Sequence, residues 1–203
     1  IGSAEVLVVR STKVTRATVE AAKQLSLIVR AGAGVNTIHI DAASEYGVSV
    51  ANCPGKNTAA VAELAIGLMI AADRRIPAAT ADLVAGQWRK KEYGKASGLL
   101  GRTLGIVGFG AIGRAVAERG KALGMHVCAW SRSLTPERAE EAGVDACRSL
   151  EDLAGRSDAV SIHLAATADT KGLIGAVFFA AMRDGAIFVN TSRGEIVDQD
   201  ALA

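Results

Sequence analysis

Two rhythms of hydrophobic and polar positions alternate along the chain. Short apolar runs at 5–9, 27–29, 48–51, 103–107, 126–130, 158–164 and 186–190 predict strands, because a strand covered on both faces needs few polar positions. Between them, 18–25, 41–46, 58–73, 77–85, 112–123 and 176–182 read as helices. Local punctuation fixes several ends. Gly47 and Gly124 sit where helices stop. Asn57 or Thr58 caps the long Ala-rich helix, and Thr135, Pro136 and Glu137 supply a hydroxyl cap, a first-position proline and a first-turn acid. Ser149 to Asp152 is close to a capping box, with Asp in place of Glu or Gln. Pro54 and Gly55 make a turn, and the polar, Gly-containing stretch 88–101 predicts a loop. Strands joined by helices of this length predict an α/β fold with a doubly wound parallel sheet.

Composition supports that class. Half of the 203 residues are hydrophobic and only 4% aromatic, so the core is built from Ala, Val, Leu and Ile. The charge is nearly balanced, with 23 basic and 21 acidic residues and a net charge of +2. The one basic cluster, Arg89 to Lys91, is interrupted at once by Glu92 and reads as a solvated loop. No nucleic acid is expected as a partner. Cys53, Cys128 and Cys147 are far apart and share no ligand-like spacing with His39, His126 or His163. Neither a metal site nor a disulfide framework is expected, and a reducing, cytoplasmic location fits best. No signal peptide opens the chain. The apolar stretch 58–72 contains Glu63 and is too short for a bilayer, so no membrane partner is expected.

The clearest chemical signal is Gly108, Gly110 and Gly113 in GxGxxG spacing, with Ala111 and Ile112 between the last two. The motif is weak alone and strong here, because it follows an apolar strand and opens a helix. Gly108 permits the tight turn, Gly110 lets a pyrophosphate approach the backbone, and Gly113 lets helix pack on strand. The unpaired N–H groups of the helix start then face the anion. At the end of the next strand an NAD site usually carries Asp or Glu for the adenosine ribose. Ser131 stands there, followed by Arg132. No carboxylate repels a 2′-phosphate and a guanidinium is near to attract one. The pair favours NADP over NAD, and NAD stays open if Arg132 points into water.

Segments 30–35, 52–58, 60–64, 105–113, 190–194 and 196–198, in this order, resemble the D-2-hydroxyacid dehydrogenases, with 3-phosphoglycerate dehydrogenases the nearest branch. The resemblance implies a smaller, flavodoxin-like α/β substrate domain at 1–55, lacking its opening βα unit or units. It implies a Rossmann-type cofactor domain at 56–203, cut after its fourth main strand and therefore ending in an apolar edge strand. It also implies a homodimer, for which the helix from Thr58 is a candidate interface. The reaction implied is hydride transfer between nicotinamide and C2 of a small 2-hydroxy or 2-keto acid. Arg193 matches the family's catalytic Arg, which holds the substrate carboxylate and polarises the C2 carbonyl. Ala33 and Gly34, in loop 31–34, match the backbone N–H groups that bind that carboxylate. Thr191 and Ser192 fall beside the nicotinamide, and His163 and Leu164 in a strand-end segment near the adenosine ribose. His163 is expected to be structural or a backbone cofactor contact, and His39 and His126 to be structural. The family's acid/base His and its orienting Glu lie well beyond the Arg, and this sequence closes ten residues after Arg193. The 203 residues are thus expected to belong to a longer chain. Two alternatives share the fold: an NADPH-preferring glyoxylate or hydroxypyruvate reductase, and a non-catalytic NAD-binding module of the corepressor kind.

Overall fold

A computed structural model describes all residues, 1–203. The chain divides into two compact units, Ile1–Thr58 and Ala59–Ala203.

The first unit is a three-stranded parallel sheet in sequence order. Strands β1 (Val6–Val9), β2 (Leu27–Arg30) and β3 (Ser49–Asn52) are joined by helices α1 (Arg16–Ala21) and α2 (Ile40–Glu45). Helix α1 starts two residues before its apolar pattern, because Thr15 caps it by accepting from the Thr18 N–H, and it ends at the cap Ala22, whose N–H turns back to the Val19 carbonyl. Gly47, at φ +68°, lets the chain leave α2 as expected. Val9, Val19, Ile28, Ile38, Ala42 and Val48 form the unit's core.

The boundary falls at the first residue of α3 (Thr58–Asp73), and the second unit continues with α4 (Ile76–Val84) and a short α5 (Lys90–Tyr93), the last inside the stretch read as loop. Its sheet then runs through β4 (Thr103–Val107), α6 (Ala111–Ala122), β5 (His126–Trp130), α7 (Pro136–Glu141), β6 (Asp145–Ala146), α8 (Leu150–Arg156), β7 (Ala159–Ile162), α9 (Ala176–Ala181), β8 (Ile187–Asn190) and α10 (Gln199–Leu202). The strand order is β6-β5-β4-β7-β8, all parallel. Strand β8 is an edge, as read from the sequence, but it is the fifth strand and not the fourth. The two-residue β6 was missed because Asp145 and Ala146 carry no apolar pattern.

Burial explains the order. All four residues of β7 are buried, as are Leu104 to Val107 of β4, so helices must cover both faces. On one face Val116 and Ala117 of α6 and Ala62, Ala65 and Met69 of α3 pack with Leu104 and Ile106. On the other, Leu150, Leu153 and Ala154 of α8 and Phe178 of α9 pack with Val107, Val160 and Ile162. Helix starts follow the cap signals: Thr135 accepts from the Arg138 N–H and Ser149 from the Asp152 N–H, each worth about 1 kcal/mol. Asp152 accepts in turn from the Arg148 N–H at 2.9 Å. Its shorter side chain thus closes the box one residue earlier than a Glu would.

Candidate cofactor and substrate site

In the second sheet the chain leaves β4 toward β5 and β6 on one side, then returns to β7 and β8 on the other. The strand order therefore reverses at β4, and the crevice beyond its carboxyl end is where such sheets bind ligands. Gly108 to Gly113 fill that position.

The geometry gives each glycine a distinct reason. Gly108 has φ +95°, and a Cβ there would lie 2.6 Å from the His163 carbonyl oxygen and 3.0 Å from Leu164 Cδ2. A Cβ on Gly113 would lie 2.2 Å from the Gly108 carbonyl oxygen and 3.2 Å from Ile106 Cγ2. Those two hold the turn against β7 and the helix against β4. Gly110 differs, because a Cβ there meets nothing within 4 Å. Its backbone has ordinary extended angles, φ −80° and ψ −160°, and no side chain caps the helix start. The chain therefore does not need glycine at 110, whereas a pyrophosphate approaching the N–H groups of Ala111, Ile112 and Gly113 does. The residues fit a dinucleotide on this ground.

Beside the loop lies a cavity of about 500 Å³ lined by Gly110, Arg114, Ser131, Ser133 and Arg138 among others. Ser131 stands half-buried at the end of β5. Arg132 is exposed and pairs with Asp169 at 3.2 Å. Arg114 and Arg138 escaped the sequence reading. The signal for Arg114 was its position directly after Gly113, and Arg138 gave none beyond its place in the first turn of α7. Arg138 Nη1 donates to the Ser133 carbonyl at 3.2 Å, which holds its guanidinium beside the serines.

His163 is packed into the fold through both its backbone and its ring. Its backbone N–H donates to the Val107 carbonyl at 2.7 Å. Its Nε2 lies 2.8 Å from Ser161 Oγ, and burial pushes its pKa down from 6.5 to about 4. Leu164 follows it and lies against Gly108. His39 caps α2, its Nδ1 accepting from the Ala42 N–H at 3.2 Å.

At the carboxyl end of β8, Asn190 organises the segment that carries Arg193. Its Oδ1 accepts from the Ser192 N–H at 2.9 Å and from Ser192 Oγ at 2.8 Å. Its Nδ2 donates to the Arg193 carbonyl at 2.9 Å. Arg193 Nη1 donates to the Ser192 carbonyl at 2.8 Å. Thr191 Oγ1 is buried with no hydrogen-bond partner, a polar atom that a bound molecule can satisfy. Asn190 was legible only as part of a motif; its stapling role follows from an Asx turn after a strand.

In the first unit, loop 31–34 leaves β2. Asn52 Nδ2 donates to the Ala33 carbonyl at 2.7 Å, and the Cys53 N–H to the Gly32 carbonyl at 3.1 Å. The loop's carbonyls are thereby occupied from β3, while the Ala33 and Gly34 N–H groups take no part in those bonds. Arg30, not foreseen as part of this loop, folds over it. Its Nη1 donates to the Ala31 carbonyl at 2.9 Å, and its Nε is buried without a partner.

Residues 66–203 match the family described as D-isomer specific 2-hydroxyacid dehydrogenase, NAD binding domain. The chain belongs to this family. D-3-phosphoglycerate dehydrogenase of Methanocaldococcus jannaschii is 44% identical over all 203 residues, which span 38% of that protein. Hydroxypyruvate reductase of Thermotoga maritima is also 44% identical over 203 residues, 65% of its length. Among solved structures, the NAD+-bound 3-phosphoglycerate dehydrogenase of Entamoeba histolytica superposes with a TM-score of 0.82 at 32% identity. That match covers 99% of this chain and 60% of that one. The chain thus spans less than two thirds of these D-2-hydroxyacid dehydrogenases. The NAD-binding description agrees with the glycine geometry, and the α/β fold with parallel sheets and flanking helices agrees with the solved relatives.

Proposed function

We propose that this chain carries the dinucleotide anchor and two carboxylate-binding elements of an oxidoreductase acting on D-2-hydroxy acids, with 3-phosphoglycerate and its 2-keto product as the first substrate class. The observation that carries the reading is the glycine loop, whose second glycine serves no need of the chain itself. When bound, the nicotinamide supplies the hydride. Arg193 would hold the substrate carboxylate and stabilise charge developing on the C2 oxygen. Asn190 positions Arg193 by fixing the backbone on both sides of Ser192. Thr191 and Ser192 line the nicotinamide end, and in the first unit Ala33 and Gly34 would offer N–H groups to a carboxylate. Reduction of phosphorylated and unphosphorylated 2-keto acids by the natural protein tests the reading, with Arg193→Ala as the control. Loss of turnover with retained dinucleotide binding in the variant supports it. Binding without turnover in the parent protein points to the non-catalytic module instead.

The cofactor proposed is NADP(H). Ser131 places no carboxylate at the ribose, and Arg114 and Arg138 line the same cavity. Arg132 is engaged with Asp169, but an exposed pair of this kind contributes at most about 1 kcal/mol, so a phosphate can displace it. This cofactor choice also favours a glyoxylate or hydroxypyruvate reductase as the second reading, and the relative rates on the two keto acids separate it from the first.

We also propose a homodimer built on α3 and α4. One face of α3 buries Ala62, Ala65, Ile66 and Met69, yet Leu64 and Leu68 on the other face are exposed. Helix α4 buries nothing and leaves Ile76, Leu83 and Val84 exposed. A helix apolar on both faces needs a second surface. Sedimentation of Leu68→Lys as a monomer, against a dimeric parent, would support this. The three free thiols suit a reducing compartment such as the cytoplasm, and no helix is long and apolar enough to cross a membrane.

A further inference from the structure

Cys128 and Cys147 are nineteen residues apart in sequence, and the sheet brings them together. In the β5–β6 ladder Cys128 stands opposite Asp145. Cys147 is two residues further on, and side chains two apart point to the same face. Both side chains join one apolar cluster on that face, Cys128 inside it and Cys147 packed against it. Cys128 is buried, with its Sγ 3.7 Å from Ser157 Oγ. Cys147 is only half-buried and lines a cavity of about 770 Å³ beside the edge strand β6. Arg156 donates to Cys147 Sγ from Nη1 at 3.8 Å and holds Asp145 with Nη2 at 2.8 Å.

The pair therefore has an anion-stabilising environment and one accessible sulfur. Hydrogen bonds from Cys147 and then Ser157, with the Arg156 charge, outweigh burial and hold the Cys128 thiol down at about 7. Asp145 opposes at Cys128 and Asp152 at Cys147. The charge rests on Cys128, because that thiolate and burial push the Cys147 thiol up, and Cys147 becomes a thiolate by passing its proton to Cys128. On Cys147 the charge faces the cavity and Arg156.

We propose that Cys128 and Cys147 are a peroxide-sensitive thiol pair whose oxidation to a disulfide weakens dinucleotide binding. The Cys147 thiolate attacks the distal oxygen of a hydroperoxide. The O–O bond breaks, Cys147 becomes a sulfenic acid, and the alkoxide or hydroxide released takes up a proton. Cys128 then attacks the Cys147 sulfur, the S–OH bond breaks, and the hydroxide leaves as water with the Cys128 proton. Two thiols and one hydroperoxide give one disulfide, one alcohol or water, and one water. A dithiol reverses the bond by exchange.

The structural consequence follows from the register. Diagonal neighbours across a ladder have Cα atoms about 7–8 Å apart, whereas a disulfide needs about 4.4–6.8 Å. Closing the bond draws residues 145–147 back along β5. The Cys147 N–H then loses the Ala129 carbonyl, now at 2.8 Å. Strand β6 is the outer strand, so it is the element that gives. The cavity beside it shares Leu134 with the cavity at Ser131 and Gly110, so the displacement reaches the adenosine end of the dinucleotide site.

The test uses the protein treated with hydrogen peroxide at stoichiometric amounts, then split into matched samples with and without dithiothreitol. Peptide mapping should find a Cys128–Cys147 crosslink. Titration of protein fluorescence with NADPH and NADH should give a Kd raised about five-fold or more, the lower end of typical coupling between sites. Dithiothreitol should restore it, and Cys147→Ser should abolish the effect while binding dinucleotide as the untreated parent does. Oxidation at Cys53 alone, a sulfinic acid at Cys147 without a crosslink, or a crosslink that leaves Kd unchanged would each overturn the proposal. Mapping is independent of binding, so a protein that binds neither dinucleotide even when reduced refutes the cofactor reading and with it the regulatory half of this one.

Discussion

Gly110→Ala separates what the fold requires from what the ligand requires. In the chain alone the new methyl meets no atom within 4 Å, and the backbone at φ −80° and ψ −160° suits any residue. Removing a glycine from the unfolded ensemble stabilises by about 0.4–1 kcal/mol where the native angles are compatible. Alanine is a poorer N-cap than glycine by a similar amount, about 0.5–1 kcal/mol. The two offset, and the ligand-free Tm should move by no more than about 2–4 °C, the equivalent of 1 kcal/mol for a protein of this size. The same methyl occupies the approach to the helix N-terminus, where overpacking costs about 1–3 kcal/mol. NAD(P)H affinity should therefore fall about 5–150-fold. Gly108→Ala is the contrast. It forces an alanine to φ +95° and presses Cβ to 2.6 Å from the His163 carbonyl, so it should lower the Tm even without ligand, through left-handed strain of about 1–2 kcal/mol plus a backbone clash. Differential scanning fluorimetry with and without NADPH reads both quantities in one experiment. Unchanged binding by Gly110→Ala, or a ligand-free Tm as low as that of Gly108→Ala, would refute the assignment of Gly110 to the ligand.

Four further outcomes follow from named contacts. Ser131→Asp should weaken NADPH relative to NADH by at least about ten-fold, the effect of one lost charge-assisted contact, and Asp169→Asn should strengthen NADPH slightly by freeing Arg132; paired Kd measurements check both. Asp73 has a side chain only 5% exposed and receives Arg102 at 3.1 Å and the Gly98 N–H at 3.0 Å. Asp73→Ala should therefore cost about 3–5 kcal/mol in urea denaturation, because the Arg102 charge loses its partner in a part-buried place. His163 has a folded pKa of about 4 against 6.5 for the free group, so between those values the unfolded chain binds more protons. Stability from this group is present above pH 6.5 and is lost as pH falls toward 4. His163→Gln should flatten the pH dependence of Tm in that window, and an unchanged slope would show that the imidazole is solvated.

What could be read in the sequence was whatever repeats locally. Strand and helix periodicity, the caps at Thr135 and Ser149, and the glycine spacing each depend on neighbours within a turn or two. The features that escaped depend on register. Strand β6 is visible only because Asp145 and Ala146 pair with Cys128 and Ala129. The same pairing unites two cysteines that seemed unrelated. Arg138 reaches Ser133 only because α7 folds back on the end of β5. Arg132 was credited with an open guanidinium because Asp169, thirty-seven positions later, gave no sign that it would stand opposite. Arg30 shows the same limit: a strand-end arginine looks solvated until the loop after it curls beneath its side chain.

The glycine loop, finally, is built without a single ionisable group. What would block a side chain at Gly108 or Gly113 is a main-chain carbonyl, of His163 and of Gly108 respectively, and what the loop offers an anion are N–H groups. Such a grip has no titration curve of its own and keeps its hold wherever the sheet stays folded. On the proposed reading, side chains around it would tune the ribose and the acid while the main chain holds the pyrophosphate. Selectivity and anchorage are thus carried by separate parts of the polymer, one by its variable groups and the other by its repeating unit.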